Sequence, residues 1–303
     1  MEKRRFLRGE YNHVYQRTVS GNNIFYDTED YLVYYTIFSV LSKRYGIVSL
    51  GLCLMIDHIH SLIYASSREV LSRFVSHVTL QFVKEYNSTY GRSGPLFDRF
   101  GSAPKKGMKL LRTAISYLYN NPVEKLLCRY AQEYRWSFLV GGIQLSDKSS
   151  GSRKSKALRK AVKEIDWMAD KGLYLNYKVL RRLMRELTAE EKSAMADYII
   201  RKYAFIRYDL LADCYGGWDK MLMAINSNAG SEYDVKESKG TRSDVEYREI
   251  YLYLKSHGYQ HPGDVIVLPE ERKRILAHDL LNSTSATRYQ IGKFLHLPSF
   301  CLK

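Results

Sequence analysis

The chain has 303 residues, of which 45% are hydrophobic and 26% are charged. This composition excludes a disordered chain, and the length allows about two domains of ~100–200 residues. No apolar run approaches the ~18 residues of a membrane helix, the basic amino terminus lacks an apolar signal segment, and the four cysteines form no CxxC pair, so we expect a cytoplasmic protein. The net charge of +15 favours a polyanionic partner, most often nucleic acid.

The first part of the chain, up to about Val140, has the pattern of a mixed α and β domain. Its first helix is expected to be capped by Thr28 and to end at Gly46, and Pro122 is expected to end or bend the third helix. The order β-α-β-β-α-β-α predicts an α+β fold, a ferredoxin-like antiparallel sheet with helices on one face. The predicted strands are 12–20, 47–55, 58–64 and 94–100, and the predicted helices are 28–46, 67–91 and 106–127.

Residues 141–163 are rich in Gly, Ser and Lys, and they predict a basic linker between an amino-terminal domain, 1–140, and a helical region, 164–303. The linker's Arg153, Lys154 and Lys156 could follow a phosphate backbone, or the segment could be a solvated tether.

The carboxyl-terminal region, 164–303, is predicted to be mostly helical. Thr188 and Glu191 have the spacing of a capping box. Near the end, "LPEERKRILAHDLLNSTSATRYQIGKFLHLP" predicts two helices joined by a polar turn. Its second half is similar to the first helix of a DNA-binding helix-turn-helix, although little chain remains after Pro298 for a recognition helix. Plain helical packing is the other interpretation.

The stretch "LMIDHIHSLIY" places two histidines one residue apart in an apolar run. Because alternate side chains of a strand point to the same face, His58 and His60 are predicted to lie side by side. Two imidazoles on one face indicate a metal site or a catalytic pair, or else two ordinary buried histidines. Asp57 could orient a histidine or a metal, or it could serve only the turn.

A second stretch, "ISYLYNNPV", adds a nucleophile and an amide. Tyr117 and Asn121 are four residues apart and share a helix face, whereas Tyr119 lies roughly on the opposite side. Imidazole nitrogens and an amide oxygen can bind a divalent cation. Such a cation would polarise a phosphate for in-line attack by a phenolate.

Five motifs occur in one order: "YNHVYQRTVSGNNIFYDTEDY", "MIDHIHSLI", "GPLFDRF", "YLYNNPV" and "YRWSFL". Together they resemble the single-tyrosine HUH transposases of the IS200-like group, and most of all the REP-associated tyrosine transposases. The resemblance covers residues 8–139 and implies an HUH endonuclease-like fold. The family usually has Pro-Asn before the two histidines, where this chain has Ile56 and Asp57, and it often has histidine at the position of Tyr119.

The resemblance implies a metal-dependent cleavage of single-stranded DNA, often beside a hairpin, through a 5′-phosphotyrosine intermediate, with Mg²⁺ or Mn²⁺ as the cofactor. Tyr117 is the implied nucleophile, in preference to Tyr119, which is out of register with Asn121. The implied metal ligands are His58, His60 and Asn121, and candidate DNA contacts are Gln16, Arg17 and Arg99.

Two other classes of function stay open at this point. One is a decayed or domesticated transposase that acts as a DNA-binding protein. The other is an initiator of replication or conjugation that uses the same metal and tyrosine chemistry. Either a monomer or a homodimer is compatible with the sequence.

Overall fold

The computed structural model describes residues 6–139, 141, 155–227 and 243–301. Within these residues the protein has an α+β fold built on a four-stranded antiparallel sheet, which confirms the predicted class. The strands are β1 (Tyr11–Arg17), β2 (Val48–Leu54), β3 (His58–Tyr64) and β4 (Gly101–Lys105), and their order in the sheet is β2-β3-β1-β4.

Helices alternate with these strands in the predicted order and then make up most of the rest of the described chain. Short 3-10 helices occur at Val19–Gly21, Ala131–Glu133, Arg135–Ser137 and Pro262–Val267. The α-helices are α1 (Thr28–Tyr45), α2 (Arg68–Thr89), α3 (Gly107–Glu124), α4 (Lys156–Asp170), α5 (Tyr177–Met184), α6 (Ala189–Lys202), α7 (Tyr208–Asp213), α8 (Trp218–Ser227), α9 (Glu246–Ser256), α10 (Glu270–Ser283), α11 (Arg288–Phe294) and α12 (Pro298–Cys301).

The fourth strand lies later in the chain than the predicted 94–100. In that segment only Phe97 makes a β-type pairing, an isolated bridge to Thr18. The rest of the segment is an irregular loop whose apolar side chains enter the core. The strand β4 begins instead at Gly101, opposite Tyr15. A Cβ atom at position 101 would lie 2.1 Å from the Tyr15 ring, so glycine makes room for that ring over the sheet edge.

The helix ends agree with the caps predicted from the sequence, except at the start of α1. The residue that caps α1 is Asp27 rather than Thr28, and it forms a capping box with Asp30. Gly46 ends α1 in the left-handed conformation, at a φ of 63°, as predicted. Pro122 lies in the last turn of α3, which ends two residues later at Glu124. The Thr188 capping box of α6 is confirmed.

Helices cover both faces of the sheet rather than the single face that was predicted. On one face, Val14 and Ile59 pack in a core with α1 and α2. On the other face, Cys53 and Leu62 pack in a second core with α3. The reason is that β2 and β3 are buried along nearly their whole length, so each face of the sheet needs a cover.

The carboxyl-terminal helices pack onto the amino-terminal part. Tyr35 of α1 donates a hydrogen bond to the carbonyl of Ile200 (2.8 Å), and Asn120 of α3 donates to the carbonyl of Ile225 (2.8 Å). For the last helices of the described chain, the structure favours helical packing over a helix-turn-helix. Tyr26 donates a hydrogen bond to the carbonyl of Phe294 in α11 (2.6 Å). No helix in the described ranges is long and apolar enough to cross a membrane.

The predicted linker lies largely outside the described residues. Its last part, from Lys156 onward, forms the start of α4. Ser155 caps this helix by accepting a hydrogen bond from the Leu158 amide (3.0 Å), which is why the helix begins inside a stretch of linker-like composition.

Candidate active site

Strand pairing brings the two histidines of β3 next to β1. His60 is opposite Tyr15, and His58 is opposite Arg17. Directly opposed residues of an antiparallel pair point to the same face, and this face packs against α3. The ring centroids of His58 and His60 are 5.0 Å apart, and both side chains are buried.

Each of the two histidines has its Nδ1 atom held by a neighbour. Asp57 Oδ1 lies 2.5 Å from His58 Nδ1, and His13 Nε2 lies 3.0 Å from His60 Nδ1. The Nε2 atoms of His58 and His60 are both buried. Such outer partners fix the orientation of metal-binding histidines. Asp57 therefore both occupies the turn and orients His58, which combines the two interpretations of this residue.

The protonation states suit cation binding. Burial lowers the pKa of His60 well below its usual value, and the neighbouring charges of His58 and Arg17 lower it further. Burial raises the pKa of Asp57, but the charge and hydrogen bond of His58 outweigh it, so the net pKa is lowered. At neutral pH His60 is a neutral imidazole and Asp57 a carboxylate. Neutral imidazole is the form that binds a metal.

Tyr117 lies against this histidine cluster. Its ring makes edge-to-face contacts with His60, at a centroid distance of 5.4 Å, and with His13, at 5.6 Å. Tyr119 points elsewhere, because its hydroxyl donates to the carbonyl of Leu50 (2.9 Å) and its side chain is fully buried. Burial raises the pKa of Tyr119 well above its usual value. Of these two tyrosines, Tyr117 is therefore the one beside the imidazoles.

Asn121 shares the helix face of Tyr117. Its Nδ2 donates a hydrogen bond to the carbonyl of Tyr117 (2.9 Å), and its side chain is buried. The amide nitrogen is a hydrogen-bond donor without an available lone pair, so the oxygen is the atom of Asn121 that could serve as a ligand.

Sequence reasoning missed two residues of this site. His13 was assigned no role, yet it is 1% exposed and contacts both His60 and Tyr117. Its signal was the strand alternation that also places Arg17 on this face.

The second residue, Asp244, belongs to the carboxyl-terminal region, and its amide donates to the carbonyl of Lys125 (3.1 Å). Burial, together with the charge of Asp57, raises its pKa to about 6. No local pattern in the sequence predicts that Asp244 contacts Lys125.

The predicted DNA contacts that the structure describes lie on several elements. Arg17 is half-buried on the histidine face of β1. Gln16 points to the other face, where it donates to the carbonyl of Asp98 (3.0 Å) and accepts from Thr79 (3.0 Å). Arg99 is exposed and follows Asp98, whose amide donates to the carbonyl of Arg17 (2.9 Å). Lys156 is exposed at the start of α4, whereas Arg153 and Lys154 lie outside the described residues.

A second group of possible ligands lies at the start of α1. Asp27, Glu29 and His261 have ligand atoms within 4.8 Å of one another and could hold a metal ion. The neighbouring carboxylate of Asp27, 3.7 Å away, raises the pKa of His261. This group contains none of the histidines predicted as ligands, and sequence reasoning assigned nothing to His261.

No protein-family model matches the chain, and no curated protein matches it. Among solved structures, the chain is similar to one described as "Structure of the REP associates tyrosine transposase bound to a REP hairpin". The match has a TM-score of 0.40 and 16% sequence identity, and it covers 52% of this chain and 99% of that chain. An identity this low leaves the chemistry to be argued from the residues of this chain.

Proposed function

We propose that this protein is a metal-dependent single-stranded DNA endonuclease and strand transferase of the transposase type, with Tyr117 as its nucleophile. The observation that supports this most is the contact of the Tyr117 ring with His60 and His13, on a face where His58 is also held in place by Asp57. A nucleophile that lies beside imidazoles held in a fixed orientation is an arrangement suited to phosphoryl transfer to a tyrosine.

The residues fit a divalent cation, Mg²⁺ or Mn²⁺. Its proposed ligands are the Nε2 atoms of His58 and His60 and the amide oxygen of Asn121, a mixed nitrogen and oxygen set. When bound, the cation would polarise the scissile phosphate and offset the negative charge that develops there.

Tyr117 performs the covalent step. Its phenolic oxygen loses its proton and bonds to the scissile phosphorus, which stays on the 5′ end of the downstream strand. The bond from phosphorus to the 3′ oxygen of the upstream strand breaks, and that oxygen takes up a proton and leaves as a hydroxyl. The phosphotyrosine bond conserves the energy of the broken bond, so a second 3′ hydroxyl can displace the tyrosine and rejoin strands. We expect Arg17, on the same face, to contact a phosphate of the strand.

A denaturing protein gel tests this function. The protein is incubated with 3′-labelled single-stranded hairpin DNA from the flanks of its gene, with Mn²⁺, with Mg²⁺, or with EDTA. We expect a band of protein joined to DNA that requires the cation and does not form with fully double-stranded DNA. DNA binding without an adduct on any of these substrates would contradict the proposal and favour the alternative of a DNA-binding protein without catalytic activity.

His13 gives a prediction about metal affinity. The substitution His13→Phe keeps a ring against Tyr117 but removes the hydrogen bond to His60, so we expect Mn²⁺ to bind about 10–100-fold more weakly. Isothermal titration calorimetry measures this directly. The control is His77→Phe, because His77 contacts Tyr45 on the other side of the sheet. Equal Mn²⁺ affinities in the two variants would show that His13 does not support a metal ligand.

A further inference from the structure

A large cavity lies apart from the histidine cluster. It has a volume of about 780 Å³ and is bordered by the start of α1, by α5 and α6, and by the segment from α9 to His261. Binding sites for small molecules usually have ~300–1,000 Å³. None of the predicted site residues lines this cavity.

Basic side chains dominate the lining. Two carboxylates, Asp27 and Glu29, face five cations: Arg135, Arg181, Arg185, Lys192 and Lys255. Arg135 is paired with Asp197 (3.1 Å). In the described part of the chain, Arg185 and Lys192 are exposed and form no ion pair. The excess of positive charge favours an anionic ligand.

Arg181 provides a second, independent observation. Its guanidinium lies 5.9 Å from the ring centroids of both Tyr90 and Tyr177, which holds the side chain in place. Its Nε atom is buried and has no hydrogen-bond partner among the described residues. Buried donors of this kind are costly unless an acceptor reaches them. An anion in the cavity would supply such acceptors near this guanidinium.

The helices and aromatic residues around the cavity also favour an anionic ligand. The first turns of α1 and α6 border it, through Thr28 and Ala189, and helix amino termini carry partial positive charge that attracts phosphates. Tyr251 and Tyr259 also line the cavity, and tyrosine rings can stack on nucleobases.

We propose that this cavity binds a phosphate-bearing ligand of nucleotide size, either one nucleotide of a DNA strand or a free nucleotide. A metal ion is a poorer occupant, because cations of the chain already face the buried carboxylate: Lys255 Nζ lies 3.7 Å from Asp27 Oδ1, and His261 Nδ1 lies 3.7 Å from Asp27 Oδ2. The version with a DNA strand rests on the proposed function, whereas the version with a free nucleotide does not.

The double substitution Arg185→Gln with Lys192→Gln tests the proposal, since both side chains are exposed and the fold does not depend on them. The matched control, Lys43→Gln with Arg44→Gln, removes two exposed charges at the far end of α1. Fluorescence anisotropy with a labelled single-stranded hairpin, over a range of NaCl concentrations, reports on strand binding. Calorimetry with thymidine monophosphate and triphosphate, in EDTA and separately with Mg²⁺, reports on free nucleotides.

We expect the cavity variant to bind one of these probes about tenfold more weakly than the control variant. If the strand is the ligand, the slope of log affinity against log salt falls by about 1.4, that is ~0.7 for each lost phosphate contact, and nucleotide binding is unaffected or absent. If a free nucleotide is the ligand, only the calorimetric affinity falls.

Equal affinities of the two variants for both probes would overturn the proposal, as would wild-type binding of neither probe. Nucleotide binding that occurs only with a divalent cation would also contradict it, because direct recognition by Arg and Lys needs none. The adduct assay on the wild-type protein is read separately. An adduct with no effect of the cavity variant refutes the cavity proposal alone, and a cavity effect without an adduct refutes the proposed function alone.

Discussion

Replacement of Tyr117 by phenylalanine is expected to abolish the covalent adduct with DNA. The substitution removes the phenolic oxygen, the proposed nucleophile, but it keeps the ring that packs against His60 and His13, so the fold and DNA binding should persist. Loss of a nucleophile usually costs about 10⁴-fold or more in rate. Single-turnover cleavage of a labelled hairpin strand measures the effect, and anisotropy confirms that the variant still binds DNA.

Tyr119→Phe is the matched control for this prediction. It removes a hydroxyl from the same helix, two residues away, and leaves the carbonyl of Leu50 without that donor. We therefore expect a stability loss of about 1 kcal/mol with cleavage retained. Cleavage lost in the Tyr119 variant and retained in the Tyr117 variant would show that the wrong face of α3 had been assigned to the chemistry.

The second large effect concerns stability. Asp30→Ala should lower the free energy of unfolding by about 3 kcal/mol or more. The Asp30 carboxylate is fully buried and accepts hydrogen bonds from the hydroxyls of Tyr90 (2.9 Å) and Tyr177 (2.7 Å). Its other oxygen accepts from the amides of Tyr26 and Asp27, both at 2.8 Å. Removing the carboxyl group leaves four buried donors without this acceptor, and unpaired buried donors cost ~1–3 kcal/mol each before any relaxation.

Asp30 joins the start of α1 to the end of α2 and to α5, so its loss should also loosen the carboxyl-terminal helices. Urea unfolding measures the change. Glu164→Ala serves as the control, because Glu164 forms an exposed pair with Arg182 and should cost less than about 1 kcal/mol. An Asp30 variant no less stable than the Glu164 variant would contradict this account of the core.

The same carboxylate makes stability depend on pH. Burial, together with the charge of Asp27, raises the pKa of Asp30 to about 7. Because this pKa is higher in the folded than in the unfolded chain, the folded state holds the proton more tightly, and its stabilising effect is lost as the pH rises through 7. Between pH 6.5 and 8.5 we expect the wild-type stability, relative to that of Asp30→Asn, to fall by about 1 kcal/mol.

Two buried histidines oppose this effect in the same pH range. Burial lowers the pKa of His60 and His296, so both are neutral in the folded state at pH 6.5, whereas about half of such histidines are still protonated in the unfolded state. Their contribution is the same in the wild type and in Asp30→Asn, so the difference in unfolding free energy between these two proteins isolates Asp30. A difference that stays constant or rises from pH 6.5 to 8.5 would contradict the assignment.

Local patterns in the sequence predicted much of the fold and part of the site. Strand alternation placed His58 and His60 on one face, and helical spacing placed Tyr117 with Asn121 and away from Tyr119. The position of β4 could not be predicted in this way, because the apolar residues of 94–100 are buried from a loop rather than from a strand.

Residues that meet only through long-range contacts were also missed. His13 joins His60 because β1 pairs with β3, and Asp244 reaches Lys125 because the carboxyl-terminal chain returns to the sheet. The basic cavity combines segments more than 200 residues apart in the sequence, from Asp27 to His261. Strand alternation gives the face of His13 but not its partner, and neither the approach of Asp244 nor the cavity leaves a periodic signal in the sequence.

The most direct test of the central claim is mass spectrometry of the adduct itself. After nuclease and trypsin digestion, peptide 113–125 carries both Tyr117 and Tyr119, and fragmentation distinguishes the two. We predict a nucleotide joined through its 5′ phosphate to Tyr117, together with a free 3′ hydroxyl on the released strand. A nucleotide on Tyr119 or on any other residue, or a linkage through a 3′ phosphate, would contradict the proposed chemistry.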